Sequence, residues 1–176
     1  MRTVVLPEMP HELQRWLERR RELGQDRRDE VWEGEYHASP APRPRHLHLE
    51  SQLMRLLGPR ADEAGLVQMG GANIGDADDY RIPDQTYVRT FVDDLYLPTA
   101  AVVIEVIGPG DESRRKMPFY ADHGVDEVVL VDPQRRAVEW YALDREGRGA
   151  AYRPVDRSAL LDVAAADLAR RLEWPG

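Results

Sequence analysis

The chain has 176 residues, of which 42% are hydrophobic and 32% are charged, a composition that suits one compact domain. It contains no cysteine, which excludes disulfides, cysteine nucleophiles and zinc–thiolate sites. The formal net charge of −8 argues against a protein that coats nucleic acid by electrostatic attraction alone. The acidity is compatible with a site of metal-binding carboxylates, because bound cations reverse the local charge.

The sequence shows no apolar run long enough to cross a bilayer, and its N-terminus carries no apolar signal-peptide region. We therefore expect a cytoplasmic protein.

The first part of the chain alternates helices with a short hairpin. Leucine and tryptophan at helical spacing predict a helix over residues 10–23. Two extended segments around a glycine predict a hairpin over 30–42. A stripe of leucines predicts a second helix over 43–58, which Gly58–Pro59 would end.

The middle of the chain is predicted to form strands. Residues 65–75 suit an extended segment with glycine breaks, and residues 81–90 suit a strand that begins beside Pro83. The strongest strand covers 99–108, a Val- and Ile-rich run that only Glu105 interrupts. Such a run is typical of a central strand buried on both faces. A carboxylate there must be paired or bound to a metal ion.

A turn and a helix follow over 109–124. Because proline is tolerated in the first helical turn and not later, Pro118 predicts that Lys116 lies at or just before the helix N-terminus. The helix dipole disfavours a cation there, so helix stability does not explain this residue. Lys116 is also the only lysine in the chain, and arginine cannot replace lysine where a compact, titratable ammonium is needed.

The last part predicts a strand over 126–133, an antiparallel partner over 135–143, and a helix from Ser158 onwards. The whole order of elements predicts an α/β fold in which helices flank a mixed β-sheet.

Three of these residues together suggest phosphodiester chemistry. Asp84 stands at the head of one strand, Glu105 inside the next, and Lys116 opens the following helix. Carboxylate oxygens are the ligands that Mg²⁺ prefers, and a nearby lysine can orient water or neutralise the transition state. If the two strands are neighbours, the two carboxylates meet at one edge of the sheet.

The sequence also resembles a known family in three segments. They read VWEGEYHASPAPRPRH, YRIPDQTYV and AAVVIEVIGPGDESRRKMPFYADHGVDEVVLVDP. They look like the Uma-two family of restriction endonucleases in the PD-(D/E)XK nuclease superfamily, over roughly residues 28–143. The resemblance implies a restriction-endonuclease-like core over 28–157, with an N-terminal helical extension over 1–27 and a C-terminal helix over 158–176 packed on the core.

The resemblance further implies a metal-dependent endonuclease that uses Mg²⁺, which Mn²⁺ can replace, and acts on nucleic acid, most naturally DNA. It carries the catalytic and metal-binding carboxylates to Asp84 and Glu105. The superfamily places a lysine two residues after the glutamate, where this chain has Ile107. Lys116 fits an arrangement in which the following helix supplies the lysine instead. A homodimer is expected by the same resemblance, with the N-terminal helix as a candidate interface.

Two further site residues leave alternatives open. Glu30 matches a hairpin glutamate of the family and is a candidate metal ligand, or else an exposed charge at a strand end. His46 matches the family's histidine at the start of the second helix. It is a candidate catalytic residue that contacts the scissile phosphate or transfers a proton, or else a packing residue.

Five arginines lie near these residues in the sequence and are candidates to neutralise phosphates. They are Arg43, Arg45, Arg81, Arg114 and Arg115.

Two other classes of function stay open at this point. The chain could be a nuclease-fold protein that binds or regulates without cutting, in which case it should bind metal poorly. A generic α/β structural protein would instead predict apolar contacts for Glu105 and no clustering of Asp84 with Lys116.

Overall fold

The computed structural model describes residues 10–108, 110, 112–145 and 149–175. Within these residues the chain forms four helices and eleven strands. The helices are α1 (His11–Glu22), α2 (Pro44–Glu63), α3 (Ser113–Asp122) and α4 (Ala165–Arg171). The strands are β1 (Glu30–Trp32), β2 (Glu35–His37), β3 (Val67–Met69), β4 (Asn73–Gly75), β5 (Tyr80–Arg81), β6 (Gln85–Val88), β7 (Tyr96–Leu97), β8 (Val102–Val106), β9 (Glu127–Asp132), β10 (Ala137–Asp144) and β11 (Ala151–Val155).

These strands form two mixed sheets, so the predicted α/β class with a mixed sheet and flanking helices is confirmed. One sheet has the order β2-β1-β5-β4-β7, and the other has the order β11-β10-β9-β8-β6-β3. In the second sheet β8 runs parallel to β9 and antiparallel to β6. Both β8 and β9 are buried along their whole length. For β8 this confirms the prediction from the apolar run at 99–108.

The alternation of side chains along β8 divides the core. Val102, Ile104 and Val106 belong to the apolar cluster that includes α2, whereas Val103 belongs to the cluster that includes α3. Because successive side chains point to opposite faces, Glu105 shares the α3 face with Val103. The pattern of the strand alone therefore directs the one acidic side chain of β8 at the helix that carries Lys116.

The segment predicted as one strand over 81–90 divides between the two sheets. Arg81 ends β5 in the first sheet, and Gln85 begins β6 in the second. Pro83 lies between them and has no N–H to donate to a ladder. The chain crosses from one sheet to the other here, and Asp84 is part of the crossing.

Helix α2 continues to Glu63, so the prediction that it ends at Gly58–Pro59 is wrong. Pro59 removes the donor for the Arg55 carbonyl, but both residues are exposed and water can take that hydrogen bond. On the opposite side Ala61 is fully buried and extends the apolar stripe by another turn. Packing of this stripe outweighs the loss of one exposed backbone bond.

Helix α3 begins at Ser113, so Lys116 is its fourth residue and Pro118 its sixth. The prediction that Lys116 lies at or before the helix N-terminus is therefore wrong by one turn. Pro118 cannot donate a hydrogen bond to the carbonyl of Arg114. Both residues are exposed, so water can supply the missing bond, as it can in α2.

The C-terminal segment is a turn followed by a short helix, and the helix predicted from Ser158 begins only at Ala165. Glu127, a buried residue of β9, accepts hydrogen bonds from the Ser158 hydroxyl (2.5 Å) and the Ala159 N–H (2.8 Å). Its carboxylate also accepts one from the Trp140 indole N–H (2.8 Å). These bonds hold the backbone in a turn. Leu161 and Leu168 nevertheless lie in the core, as their spacing suggested.

We expect Glu127→Ala to lower the free energy of unfolding by about 3 kcal/mol, because it leaves several buried donors without an acceptor. Urea denaturation followed by circular dichroism measures the change. Glu18→Ala, on the exposed side of α1, is the matched control and should have almost no effect. Equal stability of the two variants would show that the turn does not depend on this carboxylate.

Candidate active site

Glu105 is 4% exposed and is surrounded by polar groups of α3. Its Oε1 accepts hydrogen bonds from the Lys116 ammonium (3.0 Å) and the Tyr120 hydroxyl (2.6 Å). Its Oε2 accepts one from Ser113 at 3.4 Å. The donors lie at the first, fourth and eighth positions of α3, which is the spacing of one helical face. The helix thus presents a polar face to one buried carboxylate.

Lys116 also contacts Glu30, which belongs to the other sheet. The ammonium donates to Glu30 Oε1 at 2.8 Å. The same oxygen accepts the Ile82 N–H (2.7 Å), and Oε2 accepts the Trp32 indole N–H (2.7 Å). Glu30 is buried, so the alternative of an exposed strand-end charge does not hold.

Burial and the contact with Lys116 set the protonation of Glu105. Burial raises the pKa of Glu105 to about 7, because the charge of Lys116 only partly offsets the loss of hydration. Burial alone would lower the pKa of Lys116, but the charges of Glu105 and Glu30 raise it above its ordinary value. Lys116 is therefore a cation at neutral pH, while Glu105 is close to its titration midpoint.

Asp84 lies beside this group because β6 and β8 pair with Gln85 opposite Ile104. Its Oδ2 accepts the Val106 N–H at 2.7 Å, next to Glu105 in the chain. Its Oδ1 accepts hydrogen bonds from Arg28 (2.7 Å) and His46 Nε2 (2.9 Å). The structure thus places Asp84 and Glu105 at neighbouring strands that line the same cavity.

Hydrogen bonds shift the pKa values of Asp84 and His46. Burial would raise the pKa of Asp84, but His46, the Val106 N–H and Arg28 together lower it below its ordinary value. Burial would likewise lower the pKa of His46, but its hydrogen bonds to Asp84 and Glu50 raise it to about 10. An anionic Asp84 therefore faces a protonated His46 at neutral pH.

Glu50 is a member of this group that the sequence analysis missed. Its Oε1 lies 2.9 Å from His46 Nε2, and Arg28 joins its carboxylate to Asp84. Ligand atoms of His46, Glu50 and Asp84 all lie within 4.8 Å of one another, a spacing at which they could hold a metal ion. The only signal in the sequence was the four-residue spacing of His46 and Glu50, which places both on one helical face.

All five predicted site residues line one cavity of about 780 Å³. They are Asp84, Glu105, Lys116, His46 and Glu30. The hypothesis of a generic structural protein predicted apolar contacts for Glu105 and no grouping of Asp84 with Lys116. The structure contradicts both expectations.

Of the five arginines considered as phosphate ligands, only Arg43 and Arg45 line the cavity. Arg81 is buried between the rings of Trp32 and Phe119, with its guanidinium carbon 4.5 and 4.1 Å from their centres. The remaining two, Arg114 and Arg115, form ion pairs with Glu139 and Glu112. Arg28 and Arg136, which the sequence analysis did not select, line the cavity instead.

The fold and the carboxylate-lined cavity together define a nuclease-like α/β protein. The structure is similar to a crystal structure described as a putative nuclease belonging to DUF820 from Anabaena variabilis, with a TM-score of 0.62. The two chains are 15% identical, and the match covers 81% of this chain and 90% of the other. At this identity the likeness establishes the fold.

The chain belongs to the Uma2 (Uma-two) family, described as "Putative restriction endonuclease", whose model matches residues 10–173. The resemblance inferred from the sequence is thereby confirmed, and it extends beyond residues 28–143 at both ends. No curated protein matches the chain. Among the described residues, no helix is both long and apolar enough to cross a membrane.

The raised pKa of Glu105 predicts a pH-dependent stability of the metal-free protein. A carboxyl group with an ordinary pKa of 4.5 and a folded-state pKa of about 7 binds more protons when folded. Its contribution to stability is therefore complete below pH 4.5 and is lost as the pH rises through 7. We expect wild type to lose stability relative to Glu105→Gln over this interval, measured by urea denaturation in EDTA. Parallel pH profiles for the two proteins would contradict the assignment.

Proposed function

We propose that this chain is a Mg²⁺-dependent endonuclease that hydrolyses phosphodiester bonds of nucleic acid, with DNA as the substrate. The observation that carries the proposal is the grouping of Asp84, Glu105, Lys116 and His46 around one cavity. Family membership and the nuclease-like fold support the reaction class.

The metal ion is proposed to bind to Asp84 and Glu105. The donor set fits a hard cation, because buried carboxylate oxygens at the cavity are what Mg²⁺ and Mn²⁺ prefer. The site also concentrates negative charge strongly enough to keep His46 and Lys116 protonated at neutral pH. When bound, Mg²⁺ would stabilise charge on the phosphoryl oxygens and lower the pKa of a bound water.

Glu30 is proposed as a third ligand of the metal ion. Both of its oxygens accept hydrogen bonds in this structure, from Trp32, Ile82 and Lys116. To bind a metal ion it would have to exchange at least one of these partners. Glu50 is the alternative third carboxylate, because it lies with His46 and Asp84 within ligand spacing.

Lys116 and His46 are proposed as the cationic catalytic groups. Glu30 and Glu105 hold the Lys116 ammonium at the cavity. Its third proton lies 3.5 Å from the Ile82 carbonyl oxygen, and we propose that it is donated instead to a phosphoryl oxygen or the attacking water when substrate binds. Asp84 and Glu50 hold His46 in its protonated form, which suits it to donate to the scissile phosphate or the leaving oxygen.

A second candidate is a nuclease-fold module that binds or regulates without cutting. The observation in its favour is Arg28, whose guanidinium bridges Asp84 and Glu50 at 2.7 and 2.9 Å. A guanidinium at this position already neutralises carboxylates that an active enzyme would offer to a metal ion. Metal affinity separates the two candidates.

The homodimer, the cytoplasmic location and the division of the chain at residues 27 and 157 stay predictions. Sedimentation equilibrium of the wild-type protein tests the dimer.

Plasmid and oligonucleotide cleavage tests the reaction. We expect wild type to cut in Mg²⁺ and in Mn²⁺ but not in EDTA, and we expect Asp84→Asn, Glu105→Gln and Lys116→Met each to reduce the rate at least about 100-fold. Asp62→Asn, on the exposed end of α2, is the matched control and should cut like wild type. Circular dichroism confirms that each variant is folded. Cutting that survives all three site variants would refute the placement of the active site.

Calorimetric titration with Mn²⁺ tests the metal site independently of cutting. We expect binding by wild type that Asp84→Asn weakens at least about tenfold, because it removes a ligand charge. Arg28→Gln should bind Mn²⁺ more tightly than wild type, since it removes a competing cation from Asp84. Absent binding in wild type and in Arg28→Gln alike would favour the module that does not cut.

A further inference from the structure

Tyr120 is a buried residue of α3 that contacts Glu105, a proposed ligand of the metal ion. Its side chain is fully buried, and its hydroxyl donates a hydrogen bond to Glu105 Oε1 at 2.6 Å. The ring belongs to the apolar cluster that includes Val103 and Leu130, and it makes an edge contact with the ring of Phe119. This packing fixes the direction in which the hydroxyl points. The hydroxyl has no part in the reaction proposed above.

The two carboxylate oxygens of Glu105 have different partners. Oε1 accepts hydrogen bonds from the Tyr120 hydroxyl at 2.6 Å and from the Lys116 ammonium at 3.0 Å. A carboxylate oxygen has about two lone-pair positions, so these two donors occupy Oε1. Among the residues that the structure describes, the donor to Oε2 is Ser113, at the longer distance of 3.4 Å. Oε2 is therefore the oxygen with capacity left for a metal ion.

Tyr120 and Lys116 differ in how firmly they hold Oε1. The Lys116 ammonium lies on a flexible stem, and it also contacts Glu30 and the Ile82 carbonyl oxygen. Its bonds would change when it donates to a bound phosphate. The ring of Tyr120 is fixed by the core, and Tyr120 does not line the described cavity. Tyr120 can thus hold Glu105 in place while Lys116 exchanges partners.

We propose that Tyr120 is a positioning residue, which holds Oε1 of Glu105 and leaves Oε2 to bind the metal ion. This inference rests on the proposed function, because Glu105 is a ligand only under that proposal. The terminal torsion of a glutamate is broad, so a carboxylate without fixed partners can present either oxygen and loses this freedom when it binds an ion. The Tyr120 hydroxyl removes that freedom before the ion arrives.

Calorimetric titration of Tyr120→Phe with Mn²⁺ tests the inference, because this variant loses the hydroxyl and keeps the ring. We expect its Kd to rise at least about tenfold, since hydrogen bonds that orient a metal ligand typically account for 10- to 100-fold in affinity. Tyr152→Phe is the matched control. The Tyr152 hydroxyl donates to the Val125 carbonyl at 2.7 Å, and its ring packs against the same apolar cluster. This control should bind Mn²⁺ like wild type.

Cleavage kinetics and stability separate positioning from a general loss of structure. Tyr120→Phe should lower kcat and leave KM for the oligonucleotide within about twofold, because Tyr120 does not line the cavity that the substrate enters. Both variants lose one hydrogen bond of a tyrosine hydroxyl, so urea denaturation should show similar shifts of the midpoint. Only Tyr120→Phe should change metal affinity.

The outcomes distinguish the inference from the nuclease proposal. Unchanged Mn²⁺ affinity in Tyr120→Phe overturns the inference, and it leaves the nuclease proposal intact if wild type cuts. An equal loss of affinity in both tyrosine variants also overturns it, since that loss would follow from stability alone. Absent binding by wild type overturns the inference together with the proposed metal site. The expected pattern of affinities without cutting by wild type supports the inference and refutes only the nuclease reaction.

Discussion

The contact of Lys116 with two buried carboxylates is the interaction on which the site depends. Glu30 comes from β1 of the first sheet, Glu105 from β8 of the second, and Lys116 from α3. The ammonium of α3 therefore joins β8, the preceding element, to β1, which lies far away in the sequence. Removing a partner from such a group leaves an uncompensated buried charge, which typically costs about 3–5 kcal/mol. An apolar set of similar volume would avoid this cost, so stability does not account for the charges.

Asp84 connects this group to the rest of the cavity through the backbone. Pro83 prevents a ladder bond where the chain leaves β5, and the carboxylate of Asp84 instead accepts the Val106 N–H of the neighbouring strand. The crossing between the sheets is thereby held by a side chain of the candidate active site. Substitution of Asp84 should accordingly disturb both the site and the junction, which makes its amide the appropriate replacement.

A residue of the candidate site could be predicted from the sequence when it differs from its immediate neighbours in the chain. Glu105 inside an apolar run and Lys116 as the single lysine are visible without a structure, because each is an exception to its immediate surroundings. Arg28 and Glu50 are not visible, because an arginine and a glutamate on a polar surface are ordinary. Their grouping with Asp84 depends on how α2 and the segment before β1 pack beside β6.

The errors in helix boundaries have the same origin. Local rules predict that Pro59 ends a helix and that Pro118 lies in the first turn of one, because proline removes a donor. Each proline instead lies within its helix on the exposed side, where water can replace the lost bond. Ser158 is predicted to begin a helix. In the structure its hydroxyl and the following backbone N–H instead donate hydrogen bonds to Glu127, a residue of strand β9. In each case the position of the helix boundary depends on a tertiary contact, or on its absence, which local sequence rules do not include.

The distribution of charge also bears on how a chain with a net charge of −8 would bind the proposed polyanionic substrate. Net charge governs attraction at long range, but salt screens it over about 8–10 Å. Within that distance the proposed substrate would meet the exposed side chains of Arg43, Arg45 and Arg136 before it reached the buried carboxylates of the cavity. Repulsion by those carboxylates is strongest without a bound cation. A metal ion bound as proposed at Asp84 and Glu105 would turn the last step of substrate binding from repulsive to attractive, so that binding of the metal ion and of the substrate would strengthen each other.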